Sequence, residues 1–156
     1  MNYSSPFSLL DGTPGGGKTF LAIAVGLHKL MNSKTTGVKK LCIFRPVSDM
    51  AGESLGYLPG TVDEKMEERV APIKSILHEL IGKQKTDELI LRGEIEIMPI
   101  SFLRGATLTN SYCVLDEAQN FSRDAIKSVL TRTGRNTKFA VCMDTKQVDR
   151  KELIAN

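Results

Sequence analysis

Short apolar runs alternate along the chain with longer segments in which apolar residues recur every three or four positions. The short runs predict strands, as does the alternating segment 94–100, and the longer segments predict amphipathic helices. The predicted strands cover residues 7–10, 41–44, 94–100, 112–115 and 138–143, and the predicted helices cover residues 19–32, 63–81 and 122–133. Strands that alternate with helices indicate an α/β fold, with a mostly parallel sheet and helices on both faces.

The helical periodicity also predicts where the helices end and which residues face the core. Pro72 lies inside the second helical segment, so we expect a kink there or two short helices. Gly82 and Gly134 are the expected stops of the second and third helices, and Ser122 is the expected N-cap of the third. The glycine-rich stretch 47–61 is predicted to be a loop. The residues expected to face inward are Phe20, Ile23, Ala24, Leu27 and Met31, then Met66, Val70, Ile73, Leu77 and Leu80, and last Ala125, Ile126, Val129 and Leu130.

The composition is that of an ordinary folded domain. With 156 residues, 41% of them hydrophobic and 25% charged, the chain is able to bury a core, and this excludes a disordered chain. The absence of tryptophan and an aromatic content of 6% argue against a protein that binds single strands on many stacking rings. The net charge of +3 permits a nucleic-acid partner but does not require one.

The three cysteines are expected to be buried thiols. Cys42, Cys113 and Cys142 each lie in an apolar run, and no two of them form a C-x-x-C pair. This arrangement disfavours a disulfide framework or a zinc site and is typical of a reducing compartment. No apolar stretch is long enough to span a bilayer, and the N-terminal segment lacks the features of a secretion signal. We therefore expect a cytoplasmic location without membrane association.

A glycine-rich segment between the first predicted strand and the first predicted helix fits the pattern G-x-x-x-x-G-K-[ST]. Glycines let the backbone curl so that several N–H groups point at phosphate oxygens, and the helix that follows adds the positive end of its dipole. We expect Lys18 to reach the β- and γ-phosphates of a nucleotide and Thr19 to place its hydroxyl on Mg²⁺. The segment expected to bind the nucleotide consists of Gly12, Thr13, Pro14, Gly15, Gly16, Gly17, Lys18 and Thr19.

Two adjacent carboxylates, Asp116 and Glu117, follow the fourth predicted strand. Asp116 is expected to hold Mg²⁺ through water, and Glu117 is expected to orient or deprotonate a water for attack on the γ-phosphate. Because a kinase for small molecules must exclude water, an activating glutamate beside the metal ligand favours hydrolysis and disfavours such a kinase.

Polar residues also follow the fifth predicted strand. Asp144 and Gln147 are expected to lie beside the γ-phosphate, where Gln147 is a candidate catalytic residue that reports whether this phosphate is present. Residues 145–149 miss the guanine-recognition pattern [NT]-K-x-D by one residue, which disfavours a GTPase.

With further motifs, these segments resemble those of the PhoH-like ATPases, relatives of the superfamily-one helicases. The resemblance covers residues 12–149, nearly the whole chain. Beside the phosphate-binding loop it includes an R-P…G-E-x-L-G-[FY]-L-P-G…E-K block from Arg45, an aromatic-x-R-G-x-T-[LF] stretch from Phe102, L-D-E-A-Q-N from Leu115 and L-T-R-x-G from Leu130.

The resemblance implies a RecA-like sheet, hydrolysis of ATP with Mg²⁺, a connection to RNA, and a ring-shaped homo-oligomer or a nuclease as partner. Four residues in or beside these motifs are candidates for contact with RNA or with a neighbouring subunit. They are Arg45, Phe102, Arg104 and Arg132.

The chain departs from the family pattern at Pro14, Gly16, Ala106 and Met143, and it is short at both ends. We therefore expect a single PhoH-like ATPase core over residues 1–156, truncated relative to the family. The alternative is a regulatory nucleotide-binding module that needs a partner to act and has little turnover of its own. Steady-state ATP hydrolysis with and without single-stranded RNA discriminates between the two hypotheses.

Overall fold

The computed structural model of the chain describes residues 5–46, 62–103 and 107–146. These residues contain five strands and five α-helices. The strands are β1 (Phe7–Asp11), β2 (Lys40–Arg45), β3 (Ile95–Pro99), β4 (Ser111–Leu115) and β5 (Lys138–Met143). The helices are α1 (Lys18–Met31), α2 (Ser33–Thr36), α3 (Val62–Ile81), α4 (Lys83–Leu91) and α5 (Arg123–Arg132), and short 3-10 turns cover Ile100–Leu103 and Ala118–Asn120.

The strands form one sheet in the order β1-β5-β4-β2-β3, and each neighbouring pair is parallel. The prediction of an α/β fold with a parallel sheet is confirmed. Parallel strands cannot be joined by a tight hairpin, so each connection between them crosses over the sheet. Because all five strands run in the same direction, their carboxyl ends lie along the same edge.

Alternate residues of the central strands enter two separate cores, one on each face of the sheet. In β2, Leu41 and Ile43 pack with buried residues of α1, α3 and α4, whereas Cys42 and Phe44 pack on the opposite side with Val129 of α5. This period of two is the natural geometry of a strand. Burial on both faces explains why these strands are continuous apolar runs in the sequence.

Glycine is required where α1 crosses the sheet. A Cβ atom on Gly26 would lie 2.6 Å from a side-chain carbon of Leu41 and 2.8 Å from the ring of Tyr112. The helix backbone therefore approaches the strands more closely than any larger residue would allow. The face of α1 that packs on the sheet consists of Ala22, Ile23, Gly26, Leu27 and Leu30.

The predicted strands and helices are confirmed with small changes of boundary, but the one-turn helix α2 and the longer helix α4 were not predicted. Only Thr86 and Leu89 of this helix are buried, so its apolar stripe is too weak to read from the sequence. Gly82, at a φ of 78°, separates it from α3 and confirms the predicted stop. Pro72 does not divide α3 into two helices, because the buried Ile73 and Leu77 anchor its second half to the sheet. The loop predicted over 47–61 lies outside the described residues.

Two of the predicted helix faces need correction. In α1, Phe20 and Met31 are exposed and do not face the core, because the buried face of the helix is centred on Ile23, Gly26 and Leu30. In α5, Ser122 caps the helix by accepting a hydrogen bond from the backbone of Ala125, as predicted, but Ile126 and Leu130 are exposed.

The narrow contact of α5 explains the second error. Val129 is the one fully buried residue described in this helix, and Ala125, one turn earlier, is only partly buried against the same core. The helix ends at Arg132, and the chain then runs extended through Thr133, which pairs with Leu108. Gly134 permits this approach, since its Cβ would lie 2.5 Å from the Leu108 carbonyl oxygen.

All three cysteines are buried free thiols, as predicted. The hydrogen bond with Cys42, together with burial, raises the pKa of the Cys113 thiol. Among the helices of the described residues, none is long and apolar enough to cross a membrane.

We expect truncation of Leu77 to destabilise the protein and truncation of Leu130 to have little effect. Leu77 is fully buried in α3, so Leu77→Ala should lower the free energy of unfolding by about 2–5 kcal/mol. Leu130 is 58% exposed, and Leu130→Ala should change the free energy of unfolding by less than about 0.5 kcal/mol. Urea denaturation of the two variants measures both values. Equal losses would show that α5 presents a different face to the sheet.

Candidate nucleotide-binding site

The candidate site is a cleft at the carboxyl edge of the sheet, where the ends of β1, β5 and β4 lie side by side. The turn between β1 and α1 forms one wall, and the residues that follow β4 and β5 form the other. The cavity has a volume of about 310 Å³. It is lined by Pro14, Gly15, Gly16, Gly17, Lys18, Thr19, Phe20, Ile76, Asp116, Glu117, Cys142, Met143 and Asp144.

The glycine-rich turn has the backbone conformation that a phosphate-binding loop needs. Gly15 and Gly17 have φ angles of 75° and 73°, in the left-handed region that favours glycine. Gly17 is also the N-cap of α1, and no side chain caps this helix. The N–H groups of its first turn therefore remain available to an anion, which the helix dipole also favours.

Lys18 folds back across the mouth of this turn. Its Nζ donates hydrogen bonds to the carbonyl oxygens of Gly12 (2.6 Å) and Thr13 (2.8 Å). The ammonium group is thus held at the loop, and Lys18 lines the cleft.

A hydrogen bond joins the first turn of α1 to the end of β4. Thr19 Oγ1 donates to Asp116 Oδ1 at 2.6 Å, although the two residues are 97 positions apart in the chain. The second carboxylate oxygen of Asp116 lies 3.3 Å from Nε of Arg45. Asp116 is buried, so this cation offsets part of the cost of removing the carboxylate from water.

The donor set at this point fits Mg²⁺. A hydroxyl and a carboxylate are hard oxygen ligands, and Mg²⁺ in nucleotide sites takes one or two such groups and completes its shell with phosphate oxygens and water. Among the described residues, no group of three or more His, Cys, Asp or Glu side chains could hold a metal alone. Thr19 and Asp116 could therefore hold a metal that arrives with a nucleotide, rather than form a complete metal cage.

The residues after β4 present a second carboxylate to the cleft. Glu117 adopts a left-handed backbone conformation with a φ of 53°, which is uncommon for a residue other than glycine. Its Oε2 accepts a hydrogen bond of 2.6 Å from Nε2 of Gln119. Backbone strain of this kind is concentrated at functional sites, where the surrounding structure maintains it.

A third carboxylate, Asp144, lies at the end of β5. Its Oδ1 accepts a hydrogen bond from the backbone N–H of Lys146 at 2.9 Å. Its Oδ2 is buried, and within the described parts of the chain it has no hydrogen-bond partner. A buried oxygen without a partner is unusual in a folded protein, and here it belongs to a residue that lines the cleft.

A buried thiol also lines the cleft. Burial, together with the Asp116 carboxylate, raises the pKa of the Cys142 thiol to about 12. Because the thiolate is the reactive form, this shift disfavours Cys142 as a nucleophile at neutral pH.

The structure brings residues 14–19 of the predicted loop together with Asp116, Glu117 and Asp144 in one cleft, and Gly12 and Thr13 do not line it. Arg45, a candidate for RNA or interface contact, instead lies beside Asp116 with 16% of its side chain exposed. Arg132 lies at the end of α5, on the opposite face of the sheet from α1. Gln147, Arg104 and the side chain of Phe102 lie outside the described residues.

Sequence reasoning did not assign a role to two residues of the site. Gln119 contacts Glu117, and Phe20 lines the cleft instead of facing the core. Gln119 carried a usable signal, since a polar amide two positions after a pair of carboxylates and inside a buried segment needs hydrogen-bond partners.

Comparison with known proteins finds one matching family model and several similar proteins. Residues 4–155 match the family model described as "PhoH-like protein". The chain is 41% identical over 138 residues to the "PhoH-like protein" of Bacillus subtilis (strain 168), a match that covers 88% of this chain and 42% of that protein. It is 40% identical over 138 residues to the "PhoH-like protein" of Synechocystis sp., covering 88% of this chain and 41% of that protein.

A third relative carries a different name. The chain is 34% identical over 140 residues to "Protein PhoH2" of Mycolicibacterium smegmatis, covering 90% of this chain and 32% of that protein. The chain therefore spans less than half the length of each of these three relatives.

We expect Lys18→Ala to weaken the binding of Mg-ATP strongly. The substitution removes the one charged donor that the described loop presents to the phosphates, and hydrogen bonds to charged groups are the strong ones. Calorimetric titration with Mg-ATP measures the loss. Lys127→Ala is the matched control, because it removes the same charge from an exposed position of α5. If Lys18→Ala keeps the parent's melting temperature and binds Mg-ATP as tightly as the parent, the loop does not bind phosphate.

Proposed function

The chain belongs to the PhoH-like protein family, and on this premise we propose that it binds ATP with Mg²⁺ in the cleft and hydrolyses it. The observation that carries the proposal is the arrangement around Asp116 and Glu117. One carboxylate is bonded to the threonine of the phosphate-binding turn, and the next residue presents a second carboxylate to the same cleft. The proposed site has catalytic residues Lys18, Asp116, Glu117 and Gln147, of which Gln147 rests on its place in the sequence alone.

The triphosphate is bound by the glycine-rich turn and the first turn of α1. Backbone N–H groups of the turn donate to phosphate oxygens, and Lys18 exchanges its two carbonyl contacts for the β- and γ-phosphates. A bound Mg²⁺ would neutralise part of the phosphate charge. Thr19 and Asp116 are the residues that would hold it.

Glu117 acts as the general base in this proposal. Its carboxylate accepts a proton from a water molecule while the water oxygen bonds to the γ-phosphorus. The bond between the γ-phosphorus and the oxygen that bridges it to the β-phosphate breaks, and that oxygen leaves with ADP. Inorganic phosphate is the second product. Lys18 stabilises the charge that develops on the transferred group.

We include single-stranded RNA among the proposed partners. Support comes from the family resemblance, from the candidate contacts Phe102, Arg104 and Arg132, and from a net charge that permits such a partner. The same resemblance supports a ring-shaped homo-oligomer or a nuclease partner. The three buried free cysteines support a cytoplasmic location. Because the net charge is only +3, affinity for RNA should depend on a few arginines and not on a broad basic face.

We expect Glu117→Gln to retain ATP and to slow its hydrolysis about a hundredfold or more, the usual effect of removing a general base. The amide keeps the shape of the side chain but cannot take a proton. Steady-state hydrolysis and Mg-ATP binding are measured on the same preparation. Glu88→Gln, on the exposed surface of α4, is the control and should change neither quantity. Equal losses of binding and turnover would assign Glu117 a structural role.

We expect Arg104→Glu to weaken RNA binding at low salt and to leave ATP binding nearly unchanged. If Arg104 binds one RNA phosphate, its removal should reduce the slope of log affinity against log salt by about 0.7 for a single strand. Arg135→Glu is a matched reversal of charge at an exposed position just before β5, at the edge of the sheet opposite the cleft. If the parent chain binds no RNA at any salt with ATP present, the regulatory nucleotide-binding module becomes the better hypothesis.

A further inference from the structure

A buried amide side chain connects two of the strand ends that form the cleft. Gln119 lies in the 3-10 turn after β4 and is only 7% exposed. Its Nε2 donates to Oε2 of Glu117 at 2.6 Å, and its Oε1 accepts from the backbone N–H of Asp144 at 3.1 Å. One side chain thus contacts the residue that follows Asp116 and the residue that follows β5.

The contact with Glu117 fixes a side chain that would otherwise have several rotamers. A 2.6 Å hydrogen bond to a carboxylate is short and charge-assisted, which makes it one of the stronger kinds in proteins. It occupies Oε2, while Oε1 accepts no hydrogen bond within the described part of the chain. The backbone adds to this restriction, because Glu117 is held in the left-handed region.

The contact with Asp144 fixes the amide itself. Asp144 directly follows β5, whose last residues, Cys142 and Met143, pair with Leu10 and Asp11 of β1. The oxygen end of the Gln119 amide is therefore bonded to backbone that the sheet holds in place. A residue that only satisfied the buried N–H of Asp144 would not need its donor end within 2.6 Å of a carboxylate.

We propose that Gln119 is the positioning residue of the hydrolytic step, an inference that rests on the proposed function. Its amide group holds Oε2 of Glu117, so that Oε1 is the oxygen that faces the attacking water and takes its proton. Gln119 contacts neither the nucleotide nor the water in this arrangement. Its effect therefore falls on the transition state and not on the binding of ATP.

The kinetic test is Gln119→Leu, which keeps a similar side-chain volume and removes both polar ends. We expect kcat for ATP to fall about tenfold to a hundredfold, with KM within about twofold of the parent. Affinity for ADP with aluminium fluoride, a mimic of the transferred phosphoryl group, should fall by the same factor as kcat. Affinity for Mg-ADP should not change.

The control is Ser111→Ala, a buried polar residue at the opposite end of β4. Ser111 is 2% exposed, and its hydroxyl donates to the Thr109 carbonyl oxygen at 2.9 Å. This variant removes a buried hydrogen bond without touching the cleft, so its kcat and its affinity for the aluminium fluoride complex should match the parent. Loss of kcat in both variants would indicate a general effect of destabilisation and overturn the proposal.

A double variant tests whether Gln119 acts through Glu117. If it does, Glu117→Gln combined with Gln119→Leu should turn over ATP no more slowly than Glu117→Gln alone, within about twofold. If the double variant is slower than Glu117→Gln by the same factor by which Gln119→Leu slows the parent, the two residues act independently and the proposal is overturned. A Gln119→Leu variant with the parent's kcat, or with KM and Mg-ADP affinity changed as much as kcat, would also overturn it.

A measurement without turnover separates this inference from the proposed function. In the ligand-free parent, we expect the side-chain amide protons of Gln119 to exchange with solvent far more slowly than those of Gln84, which is exposed. Glu117→Ala should accelerate the exchange at Gln119. If the parent hydrolyses no ATP, the proposed function fails. The contact between Gln119 and Glu117 is then judged by amide exchange, and rates at Gln119 equal to those at Gln84 would overturn it.

Discussion

Parallel pairing of β1, β5 and β4 is the constraint on which the rest of the site depends. Because these strands run in one direction and lie side by side, their carboxyl ends meet at one edge of the sheet. The register places Leu115 of β4 opposite Val141 of β5 and Phe44 of β2. A slip of one residue would exchange the two faces of β4 and turn Asp116 away from Thr19. The two hydrophobic cores thus fix the register of β4, and with it the position of Asp116, which is part of neither core.

Charge is arranged around Asp116 so that a buried carboxylate is tolerated there. Removing a carboxylate from water is costly unless other groups replace its hydration. Here Thr19 donates to one oxygen and Arg45 lies beside the other. Arg45 belongs to the end of β2, the strand on the far side of β4 from β5, so a fourth strand end contributes to the site. The same contacts orient the carboxylate towards the phosphate-binding turn.

The sequence was sufficient for those features that depend on local pattern. Four apolar runs and one alternating segment predicted the five strands, and the glycine spacing predicted the turn before α1, of which residues 14–19 line the cleft. Features that depend on packing between distant segments were not predictable. The exposure of Ile126 and Leu130 follows from how narrowly α5 meets the sheet, and the helix periodicity alone does not reveal this. The contacts of Gln119 and Arg45 require the order of the strands, which no single segment encodes.

The close approach at Gly26 has a mechanical consequence. Leu41 and Tyr112 occupy the space where a side chain on α1 would otherwise stand, so the helix cannot slide along the strands without a collision. We therefore expect the helix and the sheet to move together. A displacement of the first turn of α1 should therefore shift β2 and β4 together with the helix, because the helix cannot slide over these strands. An anion that displaced the first turn of α1 on binding would therefore displace the strands as well, including those far from the cleft.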